Sequence, residues 1–209
     1  MITTIEKDCL IHKTVSNEFF VESFVTYLQK EAVLVEYKKL SDICMEGCKN
    51  FNKKYSCPPL SPPFNLLARN YQYLVVNAIK IKLSDYQKIF NTIRMTNSVG
   101  KSLQRKIIEN AFTDRQLILS NGSCRLCKIC AYQDNLPCKY PGRMRYSLEA
   151  TGVNVNELTI KCFEFPLVWY QSDNFPEYHC VVSGVLTNEP ESVVNRIVKS
   201  FKTYKYQNS

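Results

Sequence analysis

The sequence predicts an α+β fold, with one mixed or antiparallel sheet covered by helices and long cysteine-rich loops, in a single domain over 1–209. Three observations carry this. Runs of β-branched residues alternate with apolar patterns of helical period, and no internal repeat appears. A chain of 209 residues with 45% hydrophobic content can bury a core without cross-links. Seven of the ten cysteines fall in two proline-bearing stretches that read as irregular structure.

The elements follow in order. Residues 16–31, SNEFFVESFVTYLQKE, predict a helix capped by Ser16 or Asn17, with Phe20, Val21, Phe24, Val25 and Leu28 on one face. VLVEY at 33–37 predicts a strand, and the four prolines of 44–64 predict an irregular loop. Residues 73–83, YLVVNAIKIKL, read as a strand. Tyr86, Ile89, Phe90 and Ile93 place an amphipathic helix at 85–97. Gly100 is expected to end it, and Leu103, Ile107, Ile108 and Ala111 mark a second helix at 101–112. QLIL at 116–119 is a short strand leading into a cysteine run. Short helices are expected at 147–150 and 155–163, joined by the turn TGVN, and strands at 167–170 and 178–186. Pro190 opens a helix over 190–201, with Val194, Ile197, Val198 and Phe201 on one face. The remaining tail is expected to be loose.

No apolar run is long enough to span a bilayer, and the acidic, interrupted N-terminus lacks a leader's apolar core. The expectation is a cytoplasmic protein without a membrane role. In a reducing compartment, clustered cysteines bind metal or do redox chemistry more often than they form disulfides. The formal net charge of +8 suggests anionic partners: a redox partner protein, an anionic small-molecule substrate or an anionic cluster. Lysines on solvated helix faces would account for the same number. No nucleic-acid motif is present, so nucleic acid ranks last.

The chemistry lies in the cysteines. CRLCKICAYQDNLPCKYPGRMR, 124–145, places Cys124, Cys127, Cys130 and Cys138 in a C-x2-C-x2-C-x7-C pattern. Three thiols from one short loop can take three corners of a [4Fe-4S] cluster while a more distant one takes the fourth. Tetrahedral zinc more commonly uses well-separated pairs, so the spacing favours iron and sulfur, with zinc as the alternative. The last gap of seven, without a proline directly after Cys138, departs from the ferredoxin pattern. CMEGCKNFNKKYSCPP supplies three more thiols, Cys44, Cys48 and Cys57. Three thiolates leave a metal site incomplete. A fourth ligand such as Cys9, Cys162, His179 or Cys180 could complete it, or one iron could stay open. The three could also be plain loop residues. Taken singly, Cys9, Cys162 and Cys180 read as small packing residues, and His179 reads as a polar residue at a strand edge.

Arg125, Arg143 and Arg145, with Lys128 and Lys139, crowd the second motif. Cations there would stabilise an anionic cluster, so the three arginines are cofactor-binding candidates. Pairing of Arg143 and Arg145 with Glu149 is the structural alternative.

Taken together, CxxxC-x8-CPP and the later CRLCxxCx7CxxPxxxRxSxEAxG stretch resemble the family of predicted metal-binding proteins called domain of unknown function 2284. The resemblance runs from about Cys44 to about Val155. It implies metal binding, with iron–sulfur foremost, in anaerobic or facultative microbes, and no settled reaction. The matching positions are the seven motif cysteines together with Arg125, Pro141, Arg145, Ser147, Glu149, Ala150 and Gly152.

Three functions stay open. One is an iron–sulfur redox protein with one or two clusters, for electron transfer or cluster-based catalysis. The second is an enzyme using an open cluster iron for sulfur transfer or Lewis-acid chemistry. The third is a zinc-stabilised binding module. Phosphate-binding and dinucleotide-binding glycine loops and the nucleophile elbow are absent, as is the cysteine spacing of radical enzymes that cleave S-adenosylmethionine.

Overall fold

The computed structural model describes residues 4–14, 18–83, 92–111, 115–169 and 176–207. Its strands are β1 (Glu6–Lys13), β2 (Glu18–Gln29), β3 (Tyr73–Lys82), β4 (Leu117–Ser120), β5 (Tyr146–Ser147) and β6 (Tyr178–Thr187). Its helices are α1 (Tyr37–Gly47), α2 (Phe64–Leu67), α3 (Thr92–Ala111), α4 (Val155–Phe163) and α5 (Pro190–Gln207). The strands form one mixed sheet in the order β1-β2-β3-β6-β4-β5. Every pairing is antiparallel except β4 with β5. The predicted α+β class holds.

Helices cover both faces, so the central strands are apolar on both sides. Val75, Ile79 and Ile81 of β3 face a core made with Leu103, Ile107 and Ile108 of α3 and Val193, Ile197 and Phe201 of α5. Leu74, Val76 and Ala78 face the opposite core, made with Phe64 of α2 and Leu158, Cys162 and Phe163 of α4. Val181 and Val185 of β6 join the first core, Val182 and Leu186 the second.

This two-sided burial explains a misreading. The segment expected as a helix from position 16 is the long strand β2. Phe19, Val21 and Val25 face one core while Phe24 and Leu28 face the other. With both faces apolar, the period-2 signal disappears and a helix-like spacing remains. The Phe, Val, Thr and Tyr content is that of a strand. β1 pairs with β2 along its whole length, and the sequence reading did not find it, because β1 is an edge strand with mostly exposed side chains.

Other expectations shift. The strand at 33–37 is only a bridge between Val35 and Val153, and the chain then enters α1. Gly100 does not end a helix: α3 runs through it. The glycine lets α3 press onto the sheet, since a Cβ there would stand 3.3 Å from Val181 Cγ2. The part of the first predicted helix before Thr92 lies outside the described residues. Glu149–Thr151 is a single 3-10 turn following β5, where a short helix was expected. Among the described residues no strand forms at 167–169. The tail continues α5 to Gln207, with Lys205 bonded to Asp8 and the Tyr204 hydroxyl to His12 Nδ1. β3, β4, α4 and β6 appear where the sequence placed them.

Candidate metal centre

The first motif is carried by α1. Cys44 lies in its last turn, and Cys48 caps it, donating its N–H to the Cys44 carbonyl at 3.0 Å. The start of α1 is fixed by the turn at Gly152. Glu36 N–H donates to the Gly152 carbonyl at 2.7 Å, and Asn154 Nδ2 donates to Glu36 Oε2 at 2.6 Å. Gly152 has φ +85° and lies under Tyr37, where an added Cβ would stand 2.5 Å from Tyr37 Cα. Only glycine satisfies both constraints. Beyond α1 the chain turns back through Cys57, whose carbonyl accepts from Leu60 and Ser61 N–H. Ser61 Oγ donates to the Ala150 carbonyl at 2.6 Å, and the Tyr37 hydroxyl donates to the Ser61 carbonyl.

The second motif hangs from β4. Its root is held by a buried amide relay. Gln104 Nε2 on α3 donates to the carbonyls of Asn77 and Val181 at 2.8 and 3.0 Å. Gln104 Oε1 accepts from Asn121 Nδ2 at 2.6 Å. The chain passes through Gly122, at φ +148°, into the cysteine run. A 3-10 turn, Ala131–Asp134, and left-handed Asn135 bring Cys138 back toward the other three. Cys124, Cys127, Cys130 and Cys138 line one hollow of about 20 Å³, with Lys54 and Lys139 on its rim.

The two motifs are sewn together. Cys124 N–H donates to buried Ser56 Oγ at 3.2 Å. Lys54 Nζ donates to the Cys124 carbonyl at 3.0 Å and to Ser123 Oγ at 3.3 Å. The Tyr55 hydroxyl donates to the Leu136 carbonyl, the Tyr132 hydroxyl donates to Asn52 Oδ1, and the two rings meet edge to face at 5.2 Å.

The thiols differ in surroundings. Cys57 is 6% exposed, and burial pushes its thiol up, as do the neighbouring Cys48 and Cys130. Burial also raises Cys44, with Cys48, Cys57 and Glu149 adding to the effect. The first-motif thiols thus feel one another, and Cys57 also feels Cys130 of the second motif. Glu149 is raised by the protein crowded around it, although its side chain reaches water. Glu149 is exposed and does not belong to either core. Lys101 is the cation whose charge it feels. Among the described residues no three Cys, His, Asp or Glu side chains converge tightly enough to hold a single metal ion.

The other predicted residues separate from this centre. Arg125, Arg143 and Arg145 line a larger neighbouring cavity and are not on the thiol hollow. Arg143 lies over the Tyr140 ring, and Arg145 Nη1 donates to the Gly142 and Met144 carbonyls. Cys9 is exposed on β1, at the opposite edge of the sheet from β5. Cys162 and Cys180 pack with the second core, and burial pushes both thiols up to about 12. His179 is not strand-edge surface: β6 is interior, its Nε2 is buried without a hydrogen-bond partner among the described residues, and burial with the Lys101 charge lowers its pKa to about 4. Sequence reasoning missed Ser56, Lys54 and Gln104, because each acts through a partner distant along the chain. Lys54 and Ser56, flanking Tyr55 just before Cys57, were the one available signal.

The fold and site define a cysteine-rich α+β protein whose two thiol-bearing segments are joined by hydrogen bonds. A family model described as predicted metal-binding protein (DUF2284) matches residues 27–187, and the chain belongs to that family. The match extends beyond both motifs to take in the end of β2 and all of β6. No curated protein and no solved structure matches the chain. No described helix is long and apolar enough to cross a membrane.

Proposed function

We propose that the chain binds a [4Fe-4S] cluster on Cys124, Cys127, Cys130 and Cys138 and serves as a redox protein. The observation that carries this is the convergence of all four thiols on one hollow without a carboxylate or imidazole among its walls. Thiolate-only donor sets select iron–sulfur clusters or zinc. A single zinc ion draws its donors onto one point, whereas a cluster offers one iron to each thiolate over a larger body. A hollow of about 20 Å³ is smaller than a four-iron cluster, so this reading requires the loop to open when the cluster binds, a coupling of metal binding to folding.

When bound, the cluster supplies one-electron transfer. The chain's residues set its surroundings. Lys54 and Lys139 bring positive charge to the rim and favour the more negative, reduced state. Ser56 and Lys54 fix the backbone of Cys124. The test is anaerobic reconstitution with iron and sulfide, followed by titration with dithionite. The expected result is a visible chromophore that bleaches with about one electron per chain and is lost in Cys127→Ser. An unchanged chromophore in that variant would remove these thiols as ligands.

The first motif supports a second reading, an incompletely thiolate-bound metal site. Of Cys44, Cys48 and Cys57, Cys44 feels the Glu149 charge, and none of the four fourth-ligand candidates named from sequence is among the groups acting on Cys44 or Cys57. Glu149→Gln should then release metal from this site while the chromophore of the second motif persists. Equal metal content in the variant would dismiss the carboxylate.

A further inference from the structure

Beside the thiol hollow lies a second cavity of about 310 Å³, framed by α3, β4 and the cysteine loop. That volume is on the scale of small-molecule sites. Its walls carry five cationic side chains, Lys101, Arg105, Arg125, Arg143 and Arg145, against one carboxylate, Glu109. Lys101 is half-buried and stands against Gly122, its Nζ 3.9 Å from where a Cβ would be. Burial, then the nearby Arg125, lowers its pKa. Cations so grouped repel one another and lose hydration, a cost that an anion between them offsets.

The cavity floor provides an independent sign. Ser183 of β6 is 2% exposed and lines the cavity, yet its Oγ has no hydrogen-bond partner among the described residues. Asn97 Oδ1, on the same lining, is also buried without a partner among the described residues. Buried polar atoms are nearly always satisfied, so two atoms on one cavity without a partner among the described residues mark a place for a ligand's polar groups. Other polar groups nearby are already used: Gln104 and Asn121 bond each other, and Ser120 Oγ donates to the Gly122 carbonyl.

We propose that this cavity binds a small organic anion, a carboxylate or a phosphate ester, whose charged end meets Lys101 and Arg125 and whose hydroxyl-bearing body reaches Ser183 and Asn97. The cavity and the thiol hollow share the wall Cys124 and Leu126. The ligand therefore lies one side chain from the proposed cluster. Binding rests on the cavity itself and not on which metal the thiols hold.

The test uses the full chain purified without air, with malate and glycerol 3-phosphate as probes and neutral glycerol as reference, read by titration calorimetry. At least one anion should bind saturably and glycerol should not; which anion binds separates the carboxylate from the phosphate source. Lys101→Met should weaken binding about tenfold or more, the effect of losing a charged hydrogen bond. Ser183→Ala should weaken it by about threefold to tenfold, and Lys202→Met, at an exposed position of α5 that is not on the cavity lining, should leave it unchanged. Arg125→Gln, at an exposed position, serves if Lys101→Met does not fold. Failure of both anions to bind, equal binding of glycerol, or full affinity in the Lys101 and Arg125 variants would overturn the proposal. Iron content measured on the same samples reports separately on the four thiols.

Discussion

Replacing Gly152 by alanine tests how the first motif is held. The residue sits at φ +85°, a conformation that costs a residue with a Cβ about 1–2 kcal/mol. The new methyl would also stand 2.5 Å from Tyr37 Cα and 2.9 Å from Tyr37 N. These are backbone atoms, so no rotamer change relieves the contact and the start of α1 must move. Overpacking of this kind costs about 1–3 kcal/mol. The two together give about 2–5 kcal/mol, a large part of the roughly 5–15 kcal/mol typical of a domain. With a urea slope of about 2 kcal/mol/M, the midpoint should fall by about 1–2.5 M. Gly142→Ala is the control, since nothing lies within 4 Å of its added Cβ. Because α1 carries Cys44 and Cys48, Gly152→Ala should also lower metal uptake at the first motif. A variant within about 0.5 kcal/mol of the parent, the usual range for a surface change, would refute the packing argument.

Three further outcomes follow from the same geometry. Gln104→Leu leaves the Asn77 and Val181 carbonyls and the Asn121 amide without their partner, and should cost about 2–4 kcal/mol in urea unfolding. Ser56→Ala removes the acceptor of the Cys124 N–H; hydrogen exchange at that amide should accelerate, with about 1 kcal/mol lost. His179 is held neutral, its pKa lowered to about 4. Between its ordinary value and about 4 the unfolded chain binds a proton that the folded chain refuses, so the stability is present above pH 6.5 and is lost as pH falls toward 4. The loss should not exceed about 3 kcal/mol, and His179→Gln should flatten that part of the profile. An unchanged profile would show that His179 is not held neutral.

The parts of the fold legible in the sequence are those with one clear environment. α4 has a capping Asn154 and one apolar face, and β3 and β6 are long β-branched runs in the sheet centre. β2 was hidden because two cores claim its two sides, which erases the alternation that marks a strand. Gly100 misled for a related reason: its meaning is close packing against Val181 and Ile81, a contact made across the fold. At the site, cysteine spacing is local and could be read from the sequence, and the four cysteines of the second motif line one hollow. The joining of the two motifs through Ser56, Lys54 and the tyrosine pair depends on residues about 70–80 positions apart. The arginines could be placed near the motif by sequence, but not on which of two cavities they open.

The proposed cluster is tested most directly by counting iron, acid-labile sulfide and zinc in anaerobically prepared protein, before and after Cys124, Cys127, Cys130 and Cys138 are all changed to serine. The account predicts about four iron and four sulfide per chain from this motif, and loss of that amount in the variant. Stoichiometric zinc without sulfide, or iron and sulfide undiminished in the variant, would contradict it.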